Sequence, residues 1–387
     1  MVLKISILGS TGSIGLSTLK IVDKEKDLRV ELLSANKNYK QIKKQITKYR
    51  PKFFIVKDFK TFQKLKKNLK KRKTIILNNF DKEIKSKKFD VSIVAIPGMA
   101  GLEPTLSIIQ LSKKILVANK ESIICGWDLI KSKAKRFNTR IIPIDSEHFS
   151  ILKLLEIYKL KEINKIYLTA SGGPFLDYNK KKFKNISPNE AIKHPKWKMG
   201  KKISVDSSTL LNKILEIIEA QKLFNIPKDK IDIIIHPNSL VHAIVELKNG
   251  FSMFIYHQTS MIIPIANAIF DGKLDIQKFY KIKKKKNTFE NLIFKKVDKK
   301  VFPIIKIINR VNEYPATPII VNASNEILVD QFLQKKIHFL SISKIIMNNL
   351  NDRNYKKYAI KKPKNINQIK NIDAWAKKLT IQKIINE

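Results

Sequence analysis

The chain has 387 residues, 43% of them hydrophobic, and a formal net charge of +44. That length and apolar content suit two or three domains with real cores and exclude a disordered or fibrous chain. The single cysteine, Cys125, excludes an internal disulfide and a multi-cysteine zinc site, and it suits a reducing, cytoplasmic setting.

The first residues run straight into a strand, with no apolar leader segment before it. Short β-rich runs at residues 4–8, 29–33, 53–56, 74–77, 91–96, 115–118 and 140–144 alternate with helical stretches such as GLSTLKIVDKE. Strand and helix in repetition predict an α/β unit, a Rossmann-like parallel sheet covered on both faces, over residues 1–145. Its first turn, KISILGSTGSIGLSTLKIV, places Gly9, Gly12 and Gly15 between a strand and a helix. Backbone N–H groups at a helix start favour a dinucleotide pyrophosphate, and Ser10, Thr11 and Ser13 add hydroxyls to the loop. The spacing is GxxGxxG rather than GxGxxG, so a plain tight turn is the competing reading. The second strand ends in Asn36-Lys37-Asn38, with no acid for a ribose 2′-hydroxyl. A cation there suits a 2′-phosphate, which favours NADPH over NADH; an ordinary surface lysine is the alternative.

The seventh run ends in RIIPIDSEHFSI, where Asp145, Ser146, Glu147 and His148 follow an apolar strand. On extended backbone Asp145 and Glu147 project together. Crowded carboxylates repel unless a cation neutralises them, and oxygen-only donors suit Mg²⁺ or Mn²⁺. A helix expected over 207–224 adds Asn212, Glu216 and Glu219 on one face, behind a capping-type start at Asp206-Ser207-Ser208-Thr209. Spacing alone leaves a solvated acidic face open.

Further along, runs at 164–170, 231–236, 240–247 and 251–256 predict a four-stranded sheet in a central α+β domain, residues 146–270, with Asn249-Gly250 as a hairpin turn. Both faces of these strands are rich in apolar residues. Residues 251–270 contain no Lys, Arg, Asp or Glu, about the length that spans a bilayer. Interior polar residues and Pro264 make the stretch a strand, a turn and a helix instead. Residues 271–300 read as a lysine-rich linker and 301–387 as a helical domain. Lysines are spread through all segments, and no basic motif is interleaved with aromatics. The charge therefore reads as a general surface property, with no nucleic-acid or membrane partner.

The runs GSTGSIG, ANKES (118–122), PIDSEH (143–148), SGGPF (171–175), HPKWKMGKKISVDSSTLLNKILEIIEA (194–220), HPNSLVH (236–242) and NASNE (322–326) closely resemble the 1-deoxy-D-xylulose 5-phosphate reductoisomerases, in the same order along nearly the whole chain. The resemblance implies that Asp145, Glu147 and Glu216 hold one divalent metal. It places Lys120, Ser146 and Glu147 at the reacting carbons, with Lys120 and Glu147 catalytic. It gives the substrate phosphate to Ser171, His194, Ser207, Asn212 and Lys213, and NADPH to Thr11, Gly12, Ser13, Ile14, Asn36, Lys37, Asn38, Asn119, Glu121 and Gly200. It further implies a lid over about 171–202, hinged at Gly172-Gly173 and covered by Trp197 and Met199, and a homodimer built through the central sheet.

The implied reaction is rearrangement of a sugar phosphate to an aldehyde, then reduction to 2-C-methyl-D-erythritol 4-phosphate for isoprenoid precursors. A metal-independent NADP dehydrogenase of another phosphorylated substrate is the rival. Three positions depart from the family pattern. Asn36 stands for a glycine and is expected to tolerate left-handed backbone. Ser260 and Ile262 stand where Asp and Arg are common.

Overall fold

A computed structural model describes residues 2–69, 73–80, 84, 88–178, 180–197, 199–281 and 291–386. The lysine run at 283–286, and with it part of the expected linker, lies outside them. The chain forms two compact units that do not follow chain order. The first gathers Met1–Ser122, Asp128–Phe149 and Ser260–Lys284; the second gathers Ile123–Trp127, Ser150–Thr259 and Lys285–Glu387.

Among the described residues the first unit carries a seven-stranded sheet: β1 (Leu3–Leu8), β2 (Leu28–Ala35), β3 (Phe53–Val56), β4 (Ile75–Leu77), β5 (Phe89–Val94), β6 (Ser112–Val117) and β7 (Arg140–Pro143). The order is β4-β3-β2-β1-β5-β6-β7, and every pair is parallel. The strands are near-continuous apolar runs because helices cover both faces. Ile5, Ile7, Leu8, Ile93, Val94, Ile115 and Leu116 are all buried.

One polar line crosses this core. Ser6 Oγ donates to Ser92 Oγ at 2.6 Å, and Ser92 and Ser112 hydroxyls meet at 2.6 Å. Ser112 donates to the Ile108 carbonyl at 2.8 Å, so its own proton is committed and Ser92 must donate to it.

The strand order reverses between β1 and β5, and the crevice above their carboxyl ends is where such sheets bind ligands. Helix Ile262–Phe270 packs with helix Ser13–Val22 in this unit. Lys114 Nζ, from β6, donates to the Ile269 carbonyl and to Asp271, both at 2.9 Å. The apolar stretch 251–270 is therefore a strand and a nine-residue helix. Among the described residues no helix is long and apolar enough to cross a membrane.

The second unit holds β8 (Ile163–Ala170), β9 (Ile231–Ile235), β10 (Val241–Leu247) and β11 (Ser252–Tyr256), ordered β11-β10-β8-β9. Only the β8–β9 pair is parallel. Gly250, at φ +90°, turns the β10–β11 hairpin. Helix Leu211–Phe224 packs on β8 and β9, over Ile166, Leu168 and Ile233. The C-terminal part is helical: Thr317–Leu333, Phe339–Leu350, Tyr355–Ala359 and Ile366–Ile385.

Three local expectations are corrected. The helix expected over 207–224 is two helices, Lys201–Ser208 and Leu211–Phe224, joined at Leu210 with φ +68°. Asp206-Ser207-Ser208-Thr209 therefore ends a helix rather than capping one. The Ser208 and Thr209 hydroxyls donate back to the carbonyls of Val205 and Asp206. Asp145 and Glu147 do not share an extended segment either, because β7 stops at Pro143 and a helix, Ser146–Leu155, begins at once. Finally, Asn36 is not among the left-handed residues, so the turn after β2 needs no glycine there.

Candidate active site

The glycine loop lies at the carboxyl end of β1. Gly9 has φ +88°, and a Cβ on it would meet the Ala95 carbonyl oxygen at 2.5 Å. A Cβ on Gly15 would meet the Gly9 carbonyl oxygen at 2.5 Å. Neither position admits a side chain, so loop and helix backbones close together. Gly12 is the N-cap of helix Ser13–Val22 and supplies no side-chain cap, so the first N–H groups of this helix have no side-chain acceptor from the cap residue. Thr11 and Ile14 are partly exposed and Gly12 and Ser13 exposed.

Ser10 does not join the donors expected of this loop. It is fully buried, with its hydroxyl on Gln45 Oε1 at 2.7 Å, while Gln45 Nε2 donates to the Ser10 carbonyl at 2.9 Å. Gln45 was absent from the sequence-based candidates. The signal was present: it falls with Ile42 and Ile46 on the buried stripe of helix Tyr39–Tyr49, where a polar residue needs a partner.

At the end of β2, Asn36, Lys37 and Asn38 are exposed. Asn38 Oδ1 accepts from the Gln41 N–H at 3.2 Å and caps the next helix. Asn119 is buried and committed: its Oδ1 accepts from the Ser122 N–H at 2.6 Å, and its amide donates to the carbonyls of Ile96 and Gly98. Glu121 is buried in the first turn of the same helix, Lys120–Phe137.

The acid pair sits where β7 gives way to helix Ser146–Leu155. Carboxylate oxygens of Asp145 and Glu147 lie within 4.8 Å of one another. Lys120 Nζ is 3.4 Å from Asp145 Oδ2, and His148 Nδ1 is 3.4 Å from Asp145 Oδ1. The Ser146 hydroxyl donates to Glu147. Burial pushes the Asp145 carboxyl up, but the Lys120 ammonium and the His148 ring outweigh it and hold the group well below the usual carboxylate range.

In the second unit, Glu216 is buried on helix Leu211–Phe224. Lys213 Nζ pairs with Glu216 Oε2 at 2.6 Å, and the Asn212 amide donates to Oε1. Glu219, on the same helix, is buried.

A second cluster surrounds Ser171, after β8. His194 Nδ1 accepts backbone N–H groups from Lys196 at 3.2 Å and Trp197 at 2.9 Å. Nε2 therefore carries the proton and donates to Ser171 Oγ at 2.8 Å. The Gly173 N–H also donates to Ser171 Oγ, at 3.0 Å. Both acceptor sites of the Ser171 hydroxyl are thus used, and its proton is left to donate. Burial, then the Lys213 charge, lowers His194 to about 4. Gly172 and Gly173 have φ +80° and +65°, and a Cβ on Gly173 would stand 3.1 Å from the Ser207 carbonyl oxygen. That close approach sets the Ser171 loop against Ser207 at the end of helix Lys201–Ser208. Gly200 caps the start of this helix with open space around it.

Aromatic contacts hold described residues near both ends of the segment between them. Phe175 is fully buried against Phe339 at 5.3 Å between ring centroids, with Phe183 beside it. Trp197 meets the edge of His242 at 6.2 Å, and His242 stacks on His257 at 3.8 Å. Where Ser260 and Ile262 depart from the family pattern, the Ser260 hydroxyl accepts from the Ile262 N–H at 3.3 Å and closes the turn without an ion pair.

Family models match three stretches that together cover most of the chain. That of 1-deoxy-D-xylulose 5-phosphate reductoisomerase matches residues 5–126, its C-terminal domain residues 141–224, and a further DXP reductoisomerase C-terminal domain residues 257–379. The reductoisomerase of Pelagibacter ubique (strain HTCC1062) is 47% identical over 381 residues, 96% of this chain and 97% of its own. That of Wolbachia sp. subsp. Drosophila simulans (strain wRi) is 42% identical over 355 residues, 89% of each chain. A crystal structure of DOX-P reductoisomerase in complex with NADPH, fosmidomycin and magnesium superposes with a TM-score of 0.91 at 31% identity, covering 99% of this chain and 98% of its own. The Zymomonas mobilis enzyme in complex with NADPH gives 0.86 at 30% identity, covering 99% of each.

Proposed function

The chain belongs to the 1-deoxy-D-xylulose 5-phosphate reductoisomerase family, and from that membership we infer its chemistry. It is an NADP-dependent oxidoreductase that isomerises and reduces 1-deoxy-D-xylulose 5-phosphate to 2-C-methyl-D-erythritol 4-phosphate, with one divalent metal, Mg²⁺ or Mn²⁺. The acids carry this reading: Asp145 and Glu147 stand together where β7 gives way to helix Ser146–Leu155, Glu216 is buried on helix Leu211–Phe224, and we assign the three to one metal ion.

Both groups fit the residues present. The acids offer oxygen donors alone, as a hard cation requires, and Asp145 is kept ionised. The uncapped helix start beside Gly9 and Gly15 suits a pyrophosphate, and β2 ends with Lys37 and no acid. When bound, the metal supplies Lewis acidity and a template for the substrate's keto and hydroxyl oxygens, and NADPH supplies the hydride.

The chain's own residues divide the remaining work. In our assignment Lys120 and Glu147 act at the reacting carbons, with Lys120 balancing Asp145 and Ser146 orienting Glu147. Ser171, His194, Ser207, Asn212 and Lys213 hold the phosphate. His194 acts there as a neutral donor that fixes the Ser171 hydroxyl, while Lys213 brings the charge. Thr11, Gly12, Ser13, Ile14, Asn36, Lys37, Asn38, Asn119, Glu121 and Gly200 serve the cofactor; the Asn38 and Asn119 side chains are helix caps, so their contribution is to shape the backbone. The segment 171–202 closes over the substrate and excludes water, with Trp197 as its apolar cover. We further propose a homodimer through the central sheet and, from the lone cysteine, a cytoplasmic setting.

The test is turnover of 1-deoxy-D-xylulose 5-phosphate with NADPH and Mn²⁺, followed by loss of nicotinamide absorbance. Chelation should abolish it. Glu216→Gln should lower kcat by at least about 100-fold, roughly 3 kcal/mol, while NADPH affinity holds. Undiminished turnover after chelation would establish the metal-independent dehydrogenase instead.

A further inference from the structure

A cavity of about 480 Å³ opens in the first unit at the start of β2 and β3, and Arg29, Arg50, Lys52 and Lys73 line it. Its floor is apolar, formed by the buried Val30, Ile46 and Pro51. β2 is eight residues long, so at about 3.3 Å per residue the cavity lies roughly 20–25 Å from the cofactor end of the same strand. It is a separate place on the unit, of a size that takes a small ligand.

In a chain this basic, four cations around a hollow would be unremarkable if all were lysines. They are not. The sequence has 7 arginines among 77 basic residues, and two of the four cations here are arginine. Arginine matches phosphate oxygens with a planar two-pronged donor set, which lysine lacks.

Arg50 ends helix Tyr39–Tyr49 in the left-handed region, φ +45° and ψ +50°, as Asn138, Asn225 and Asp271 do at other helix ends and Lys335 does just past Leu333, and it stands at the cavity wall beside Pro51 and Lys52. Glu31 pairs with Arg29 at 2.8 Å, one carboxylate against four cations.

We propose that this cavity binds a compact organic phosphate ester, the phosphate on Arg29 and Arg50 with the lysines around it, and the apolar body on Val30, Ile46 and Pro51.

The full chain, saturated with NADPH, is titrated calorimetrically at physiological salt with inorganic phosphate and with phenyl phosphate. The comparison is with Arg29→Gln/Arg50→Asn, which removes both guanidiniums and gives position 50 a residue at ease in left-handed backbone. The substrate's own phosphate site is intact in both proteins, so the difference isolates the cavity. The wild type should bind one more equivalent of phenyl phosphate than the variant, at least about fivefold more tightly than inorganic phosphate, with equal NADPH affinity and equal melting temperature. Equal stoichiometry in the two proteins, or uptake that never saturates, would overturn the site. Equal affinity for the two probes would overturn the ester assignment.

Discussion

His194 acts through its tautomer. Nδ1 accepts two backbone N–H groups of the 194–197 turn, and Nε2–H holds Ser171. Protonation would put a hydrogen on Nδ1 and break the turn that carries Trp197. The folded protein keeps the ring at about 4, below its ordinary 6.5, so between those values the unfolded chain binds more protons. The neutral-ring contribution is complete above about pH 6.5 and is lost as pH falls toward 4. Urea unfolding at pH 7.5 and at pH 5 should show a larger loss for the wild type than for His194→Gln, and equal losses would refute it. Lys37 gives a second prediction at this scale. Lys37→Asp places a carboxylate where a 2′-phosphate would sit, and the NADPH-over-NADH preference in kcat/KM should fall at least about tenfold, roughly 1.4 kcal/mol; an unchanged ratio makes Lys37 an ordinary surface residue. The presence of these side chains could be read from the motifs. The His194 tautomer and the inward turn of Ser10 could not, because both depend on partners distant in sequence.

Elements were more legible than their ends. The seven strands of the first sheet stand out as apolar runs between turn residues, since burial on both faces leaves no alternation to interpret, and the four of the second stand out as apolar runs although one face is partly exposed. The break at Leu210 was hidden because Asp206-Ser207-Ser208-Thr209 has the composition of a helix start; in the fold the Ser208 and Thr209 hydroxyls bond back to the previous turn at a helix end. The start of helix Ser146–Leu155 was missed although PIDSEH carries its signals, Asp145 just before the helix and Glu147 in the first turn. The serine line through β1, β5 and β6 was invisible, since small polar residues in strands usually mark an edge. It carries a prediction. Ser92→Ala removes the acceptor of Ser6 and a donor to Ser112 within a dry sheet, and should destabilise by about 1–3 kcal/mol. Ser107→Ala, where the hydroxyl bonds a carbonyl at an exposed site, should change stability by less than about 0.5 kcal/mol. Chemical denaturation of both variants decides it; equal effects would mean the buried line contributes nothing.

For the molecule as a whole, the central sheet sets the expected assembly. Helix Leu211–Phe224 covers one face. The other carries Tyr167, Ile244 and Phe254 in register across three strands, and Phe254 is 45% exposed. A second copy about a two-fold axis would bury this row. Sedimentation at micromolar concentration should show a dimer of 44.8 kDa chains, and Ile244→Asp should weaken it at least about tenfold; a wild-type monomer across that range would end the proposal. Sequence showed apolar residues on both faces of these strands, but the row across three strands and the face that helix Leu211–Phe224 would cover depended on packing. The interleaving of the two units has a bearing on how the protein is made. The first unit needs Ser260–Lys284, including the helix that Lys114 and Asp271 hold against β6. A nascent chain that has just emerged through residue 149 still lacks that piece, and translation must cover residues 150–259 before it appears, a wait of about 5–20 s at ordinary ribosomal speeds. Throughout that interval helix Ser13–Val22 is without its neighbour, so the newborn amino-terminal half is a natural client for a chaperone.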